Sequence, residues 1–98
     1  MGIINLCDDI KGKPALTNQL IRSGTSIGAN IREAHYGHSK NDFIVKLEIA
    51  LKECYETEYW LELLFETKTI NKDLFKRFQQ NAGAIRRMLI ASIKIVKG

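Results

Sequence analysis

The sequence predicts an all-α fold: an antiparallel up-down four-helix bundle with a short first helix, formed by residues 1–98 as one domain. Three observations predict it. In three long stretches, core-type residues recur at alternating steps of three and four, the spacing that holds one stripe of a helix against a partner. Pro14 is the only proline, so long helices run uninterrupted after it. The connections between the periodic stretches are short, which favours antiparallel neighbours.

The first segment, Ile3 to Ile10, carries Ile3, Ile4, Leu6, Cys7 and Ile10 ahead of the break Lys11-Gly12-Lys13-Pro14. It has room for about two or three helical turns. Helices of the length expected downstream run about 40 Å, so part of the bundle should be left bare.

The second helix is expected from Leu16, Leu20, Ser23, Ile27, Asn30 and Ala34, which step by four and three. The register passes through Gly24 and Gly28 without slipping, so one helix is expected despite their propensity cost. Such small residues admit a close neighbour. His35-Tyr36-Gly37-His38 closes the helix, with Gly37 the expected left-handed cap.

The third helix opens on Ser39-Lys40-Asn41-Asp42, a hydroxyl cap followed three residues later by an acid. Phe43, Leu47, Ala50, Cys54, Thr57, Leu61 and Leu64 form its seam, which ends near Glu66-Thr67-Lys68. Thr69-Ile70-Asn71 makes the connection, with Asn71 as the next cap. Phe75, Phe78, Ala82, Ile85, Leu89, Ser92 and Val96 then repeat the alternation in a fourth helix.

The third helix is more apolar than one seam needs. Ile44, Leu51 and Phe65 lie beside the stripe, and Ile49, Tyr59, Trp60 and Leu63 lie on another flank. A helix apolar on more than one face usually buries more than one. With a short first helix, this predicts a homo-oligomer whose interface uses Ile49, Tyr59, Trp60 and Leu63. The competing reading is scattered surface apolar residues, which are common on monomers.

Composition excludes several classes. The richest apolar stretch, Met88 to Val96, is broken by Lys94 and falls short of the ~18–20 residues of a membrane span. The N-terminus lacks a basic start, an apolar run and a small-residue cleavage site, so a cytoplasmic protein with no membrane role is expected. Cys7 and Cys54 sit among apolar neighbours at helical spacing and read as buried, reduced thiols. Neither has an activating histidine or a second cysteine at redox spacing.

Charge is distributed unevenly. The net charge of +4 divides into +1 over residues 1–38, −4 over Ser39–Thr67, +1 at Lys68 and +6 from Thr69 onward. Relative to the seam of the last helix, Lys76, Arg77, Arg86, Arg87, Lys94 and Lys97 fall outward. A face of this kind attracts phosphates through counterion release without reading sequence. Arg22 and Arg32 are candidate extensions of it. The competing readings are complementation of the helix dipole and pairing with the acidic third helix. Arg86 and Arg87 lie mid-helix, where the dipole explains them poorly.

Other constellations favour structural roles. Asn30 on the second seam, with Glu33 nearby, is expected to fix register or cap a neighbour's backbone. His35 and His38 have a spacing compatible with metal ligation, but no further pair completes a site, so no metal is expected. Gly24-Thr25-Ser26-Ile27-Gly28 lacks the lysine and preceding strand of a phosphate loop. With no nucleophile-base pair and no cofactor cradle, neither an enzyme nor a bound cofactor is expected.

One string is recognisable. Gln19-Leu20-Ile21-Arg22-Ser23-Gly24-Thr25-Ser26-Ile27-Gly28-Ala29-Asn30-Ile31-Arg32-Glu33-Ala34 resembles the signature of the bacterial four-helix bundle proteins, also called the 23S ribosomal RNA intervening-sequence protein family. Ser39-Lys40-x-Asp42-Phe43, Leu47-x-Ile49-Ala50-Leu51-Lys52-Glu53 and Glu56-Thr57-x-x-Trp60-Leu61-x-Leu63-Leu64 resemble its following blocks. The resemblance runs from about Leu16 to the C-terminus. It implies an up-down bundle assembling into a cyclic, pentameric ring. The family includes accessory proteins of diversity-generating retroelements, which bind nucleic acid beside a reverse transcriptase, so RNA or DNA and such a protein are the implied partners. The chain departs from the family at its start. Members usually carry a longer first helix, which implies a truncated chain or a shifted start.

The expected function is a non-enzymatic oligomeric bundle that binds RNA or DNA through its basic faces as a scaffold or accessory factor. The alternative is a structural or protein-interaction module with no nucleic-acid role.

Overall fold

The computed structural model describes residues 2–98 and contains four helices: α1 (Gly2–Asp9), α2 (Pro14–His35), α3 (Lys40–Glu66) and α4 (Lys72–Lys97). Their boundaries follow local chemistry. Gly12 turns the chain with φ +80°, and Pro14 enters α2 in its first turn, where a missing N–H costs nothing. Ser39 Oγ accepts from Asp42 N at 3.1 Å, and Asn71 Oδ1 accepts from Leu74 N at 2.8 Å. Both expected caps are therefore formed.

The left-handed helix end is not where glycine suggested. Gly37 keeps a negative φ, and α2 closes with Tyr36 N–H and Gly37 N–H donating to Glu33 O and Ala34 O. What Gly37 supplies is space, since a Cβ there would stand 3.2 Å from Asp42 Cβ. The left-handed residue is Lys68, at φ 60°. Thr69 N–H reaches Leu64 O at 2.9 Å and Lys68 N–H reaches Phe65 O at 3.0 Å, which closes α3 in a Schellman motif.

Ion pairs fix the directions of the helices. Arg22 meets Glu53 and Glu56, and Glu33 meets Lys46, so α2 and α3 are antiparallel. Arg86 meets Glu58 and Lys97 meets Glu48, so α3 and α4 are antiparallel too. α3 is the central helix, packed on α2 at one side and α4 at the other, while α1 packs on α2.

The seam of α3 is buried at Leu47, Ala50, Cys54, Thr57, Leu61 and Leu64. At one end Leu6, Cys7, Leu20, Leu61, Leu64, Ile70 and Phe78 cluster, beside Phe65 and Phe75 stacked at 4.4 Å. At the other end Ala34, Leu47, Ala50, Leu89 and Ile93 pack together, and Ile27, Cys54 and Ala82 join the two. A fully buried leucine such as Leu61 contributes about 1.5–3 kcal/mol. The molecule measures 43 × 20 × 17 Å, and α1 covers only one end of the furrow between α2 and α4. The bare stretch expected from the short first helix is there.

Candidate nucleic-acid interface

α4 positions the basic residues because its seam faces α3, which leaves the opposite side to solvent. Lys76, Arg87 and Lys94 share one exposed face of α4 at steps of eleven and seven, spread over about 27 Å of helix, and Lys94 also borders a groove walled by Glu48, Leu51 and Glu56 of α3. All three are exposed, and among the described residues none pairs with a carboxylate.

The other five cations are placed differently. Arg86 does not point outward: its Nε donates to Glu58 Oε2 at 2.9 Å and its guanidinium lies 5.9 Å from the Tyr55 ring. It turns to the α3 side because Glu58 stands opposite it. Lys97 reaches Glu48 at 3.2 Å, also on α3. Arg77 is exposed, with its guanidinium 5.3 Å from the centre of the Phe78 ring. Arg22 is clamped by Glu53 and Glu56 at 3.0 and 2.7 Å, and these contacts, Glu56 first, hold it still more firmly protonated. Arg32 lines a surface pocket with Gly28, Glu33, Tyr36 and Lys46, to which α4 contributes nothing. The stripe on α4 is thus not extended by α2.

Sequence reasoning missed Gly83. It is buried beneath two arginines, and a Cβ there would meet Arg87 Nη1 at 3.2 Å and Arg86 Nη2 at 3.5 Å. Glycine lets both guanidinium groups lie down across the helix midway along the stripe. The available signal was its cost, since glycine inside a helix is unfavourable by about 1 kcal/mol relative to alanine and needs a local reason.

The polar residues of α2 bond mainly within their own helix. Asn30 Nδ2 donates to Ser26 O at 2.8 Å, so it neither crosses to a neighbour nor sets register. Glu33 is an exposed partner of Lys46 at 2.7 Å. A buried hydroxyl pair, Thr57 to Ser23, does cross from α3 to α2. His35 sits edge-on to Phe43 at 5.9 Å and His38 is exposed in the following loop. Among the described residues no three histidine, cysteine or acidic side chains gather as a metal site.

Both cysteines are free and buried. Cys54 Sγ–H donates to Ala82 O at 3.2 Å, and burial pushes its thiol up to about 11. Burial likewise raises Cys7, helped by the charge of Asp8.

The four residues expected at an oligomer interface divide. Ile49 and Tyr59 are exposed on the outer side of α3, joined by Val45, which sequence reasoning missed. Leu63 is half-buried, and Trp60 packs against the Leu20–Leu61 cluster with its ring edge-on to Tyr59 at 5.0 Å. No helix among the described residues is long and apolar enough to cross a membrane.

The fold has a solved counterpart in a protein of unknown function from the S23 ribosomal protein family of Bacteroides thetaiotaomicron. It is 46% identical, with a TM-score of 0.88, and the match covers 94% of this chain and 85% of that one. No curated protein matches the chain. The family model of 23S rRNA-intervening sequence proteins matches residues 3–91, which include the α2 string, the α3 seam and most of α4. With that match and the shared four-helix architecture, the chain belongs to the 23S rRNA-intervening sequence protein family.

Proposed function

We propose that this protein is a non-enzymatic helical scaffold that binds RNA or DNA phosphates through the outer face of α4. The observation carrying the proposal is the unpaired stripe of Lys76, Arg87 and Lys94. Four other cations, Arg22, Lys46, Arg86 and Lys97, are instead engaged by carboxylates. Three lysine or arginine contacts release about three counterions and give weak binding that ignores sequence. Assembly through the Val45, Ile49 and Tyr59 face of α3 repeats the stripe, and a cyclic oligomer turns weak contacts into avidity. The pentamer implied by the family is one such ring.

Fluorescence anisotropy with labelled single-stranded RNA and duplex DNA tests this. Arg87→Glu with Lys94→Glu should abolish binding at low salt, and Arg22→Glu should not. Equal losses in the two variants would remove the assignment to α4.

The exposed apolar face of α3 favours a second reading, a protein-interaction module. Its mark is a partner retained at high ionic strength and lost with Ile49→Ala or Tyr59→Ala.

A further inference from the structure

The basic stripe of α4 leads into a groove. Between α3 and α4, Leu51 and Tyr55 face Ile90 and Ile93 across an apolar hollow of about 530 Å³. Tyr55 is 52% and Ile90 40% exposed, so two large side chains converge on one place instead of lying scattered. The Tyr55 ring is positioned by the Arg86 guanidinium, 5.9 Å from its centre, and Arg86 is itself fixed by Glu58 at 2.9 Å.

The charges around this hollow are not balanced. Glu48 and Glu56 border it, but they are engaged by Lys97 at 3.2 Å and by Arg22 at 2.7 Å. Lys52 and Lys94 border it as well, and among the described residues neither meets a carboxylate. The uncommitted charge at the mouth is therefore positive, above an apolar floor with a flat ring in its wall. A planar ring joined to an anion complements that arrangement, and a nucleotide is such a group. Lys94 belongs both to this mouth and to the stripe with Lys76 and Arg87. A strand whose phosphates follow the stripe thus arrives at the groove.

We infer that the groove between α3 and α4 seats one base of a single-stranded nucleic acid, stacked on Tyr55, with Lys94 and Lys52 on the adjoining phosphates. The inference rests on the phosphate-binding reading of α4 and names the form of nucleic acid that reading leaves open. A duplex keeps its bases stacked and paired inside, whereas a single strand can turn one outward. Every base has a flat face, so the seat tolerates any sequence. An apolar side chain of a protein would fill the floor but would give Lys52 and Lys94 no anion.

The probes are a labelled single-stranded RNA of about 12 nucleotides, the same strand made abasic throughout, and the corresponding duplex, each titrated with the full chain. The ordinary strand should bind about fivefold or more tightly than the abasic one, the value of a single stacked base. Tyr55→Leu should erase that difference and leave abasic and duplex binding unchanged, while Tyr55→Phe should keep it. Tyr55 is half exposed, so neither change should move the melting temperature much. Ile90→Lys adds a cation yet removes an apolar wall, so it should bind the abasic strand at least as well and lose the preference for bases. Equal affinity for the two strands, or a preference indifferent to Tyr55→Leu, overturns the inference. If Arg87→Glu with Lys94→Glu still abolishes binding in that case, the phosphate stripe stands and only the base seat falls. Binding indifferent to that pair removes both. Sedimentation showing self-association that Tyr55→Leu breaks also overturns the inference, since a second copy would then cover the groove.

Discussion

Thr57 Oγ1 stands 2.9 Å from Ser23 Oγ in the middle of the α2–α3 contact, with both residues fully buried. Ser23 Oγ–H in turn reaches Leu20 O at 3.3 Å, and Thr57 can instead donate to Glu53 O at 2.9 Å. Two hydroxyls are thus satisfied in the buried centre of a contact whose edges carry the Arg22–Glu53, Arg22–Glu56 and Glu33–Lys46 ion pairs. A neighbouring register would lose the Ser23–Thr57 bond and leave each hydroxyl only the carbonyl of its own helix, Leu20 O or Glu53 O. Thr57→Val keeps the volume and removes the donor, so it should lower stability by about 1 kcal/mol in urea unfolding. Combined with Ser23→Ala, the loss should be smaller than the sum of the single losses, because the pair acts as one unit. Strict additivity would show that the contact contributes nothing.

Lys68 holds a left-handed conformation that an L side chain adopts at a cost of roughly 1 kcal/mol. Its backbone N–H closes α3, so the conformation is required. Lys68→Gly should stabilise the protein by a few tenths to about 1 kcal/mol, the strain relieved exceeding the added freedom of the unfolded chain. Thermal unfolding measures it, and a lower melting temperature would mean that the lysine side chain contributes something else.

Cys54 makes stability depend on alkaline pH. Its thiol is held at about 11 in the fold against an ordinary value of 9.0. Below pH 9 both states keep the proton and burial stabilises in full. Between pH 9 and 11 the unfolded chain loses its proton first, so this contribution falls as pH rises, by about 3 kcal/mol in all. Cys54→Ala should be less stable at neutral pH because of the cavity, yet show a shallower decline over that window. Parallel declines in the two proteins would contradict this assignment.

Gly83→Ala separates stability from binding. The added methyl meets only the mobile ends of Arg87 and Arg86, so helix propensity should gain about 0.5–1 kcal/mol. The same methyl lifts both guanidinium groups off the helix and should weaken nucleic-acid affinity. A protein both more stable and equally tight-binding would show that their position above Gly83 is immaterial.

Much of the fold was legible because burial in α3 follows one period. From Leu47 to Leu64 the spacing picked out the buried residues, and Ser39 and Asn71 capped as their chemistry demanded. The short first segment also foretold the uncovered furrow. The cation directions were less legible, for a physical reason. A helical period places Arg86 relative to its own seam, but its final direction is set by Glu58 on another helix 28 residues away in sequence. Arg22, between Glu53 and Glu56, is the same case. The misplaced helix cap reflects the reverse situation. Gly37 tolerates a left-handed turn without needing one, while Lys68 is forced into it by the hydrogen bonds that close α3.

The most direct test of phosphate binding by α4 is the slope of log affinity against log salt for single-stranded RNA. With Lys76, Arg87 and Lys94 each engaging a phosphate, the slope should be about −2 per subunit engaged, at roughly −0.7 per contact. Arg87→Glu with Lys94→Glu should flatten it to near −1 or remove binding. A slope unchanged by that pair of substitutions, or an affinity independent of salt, would contradict a charge-driven role for α4.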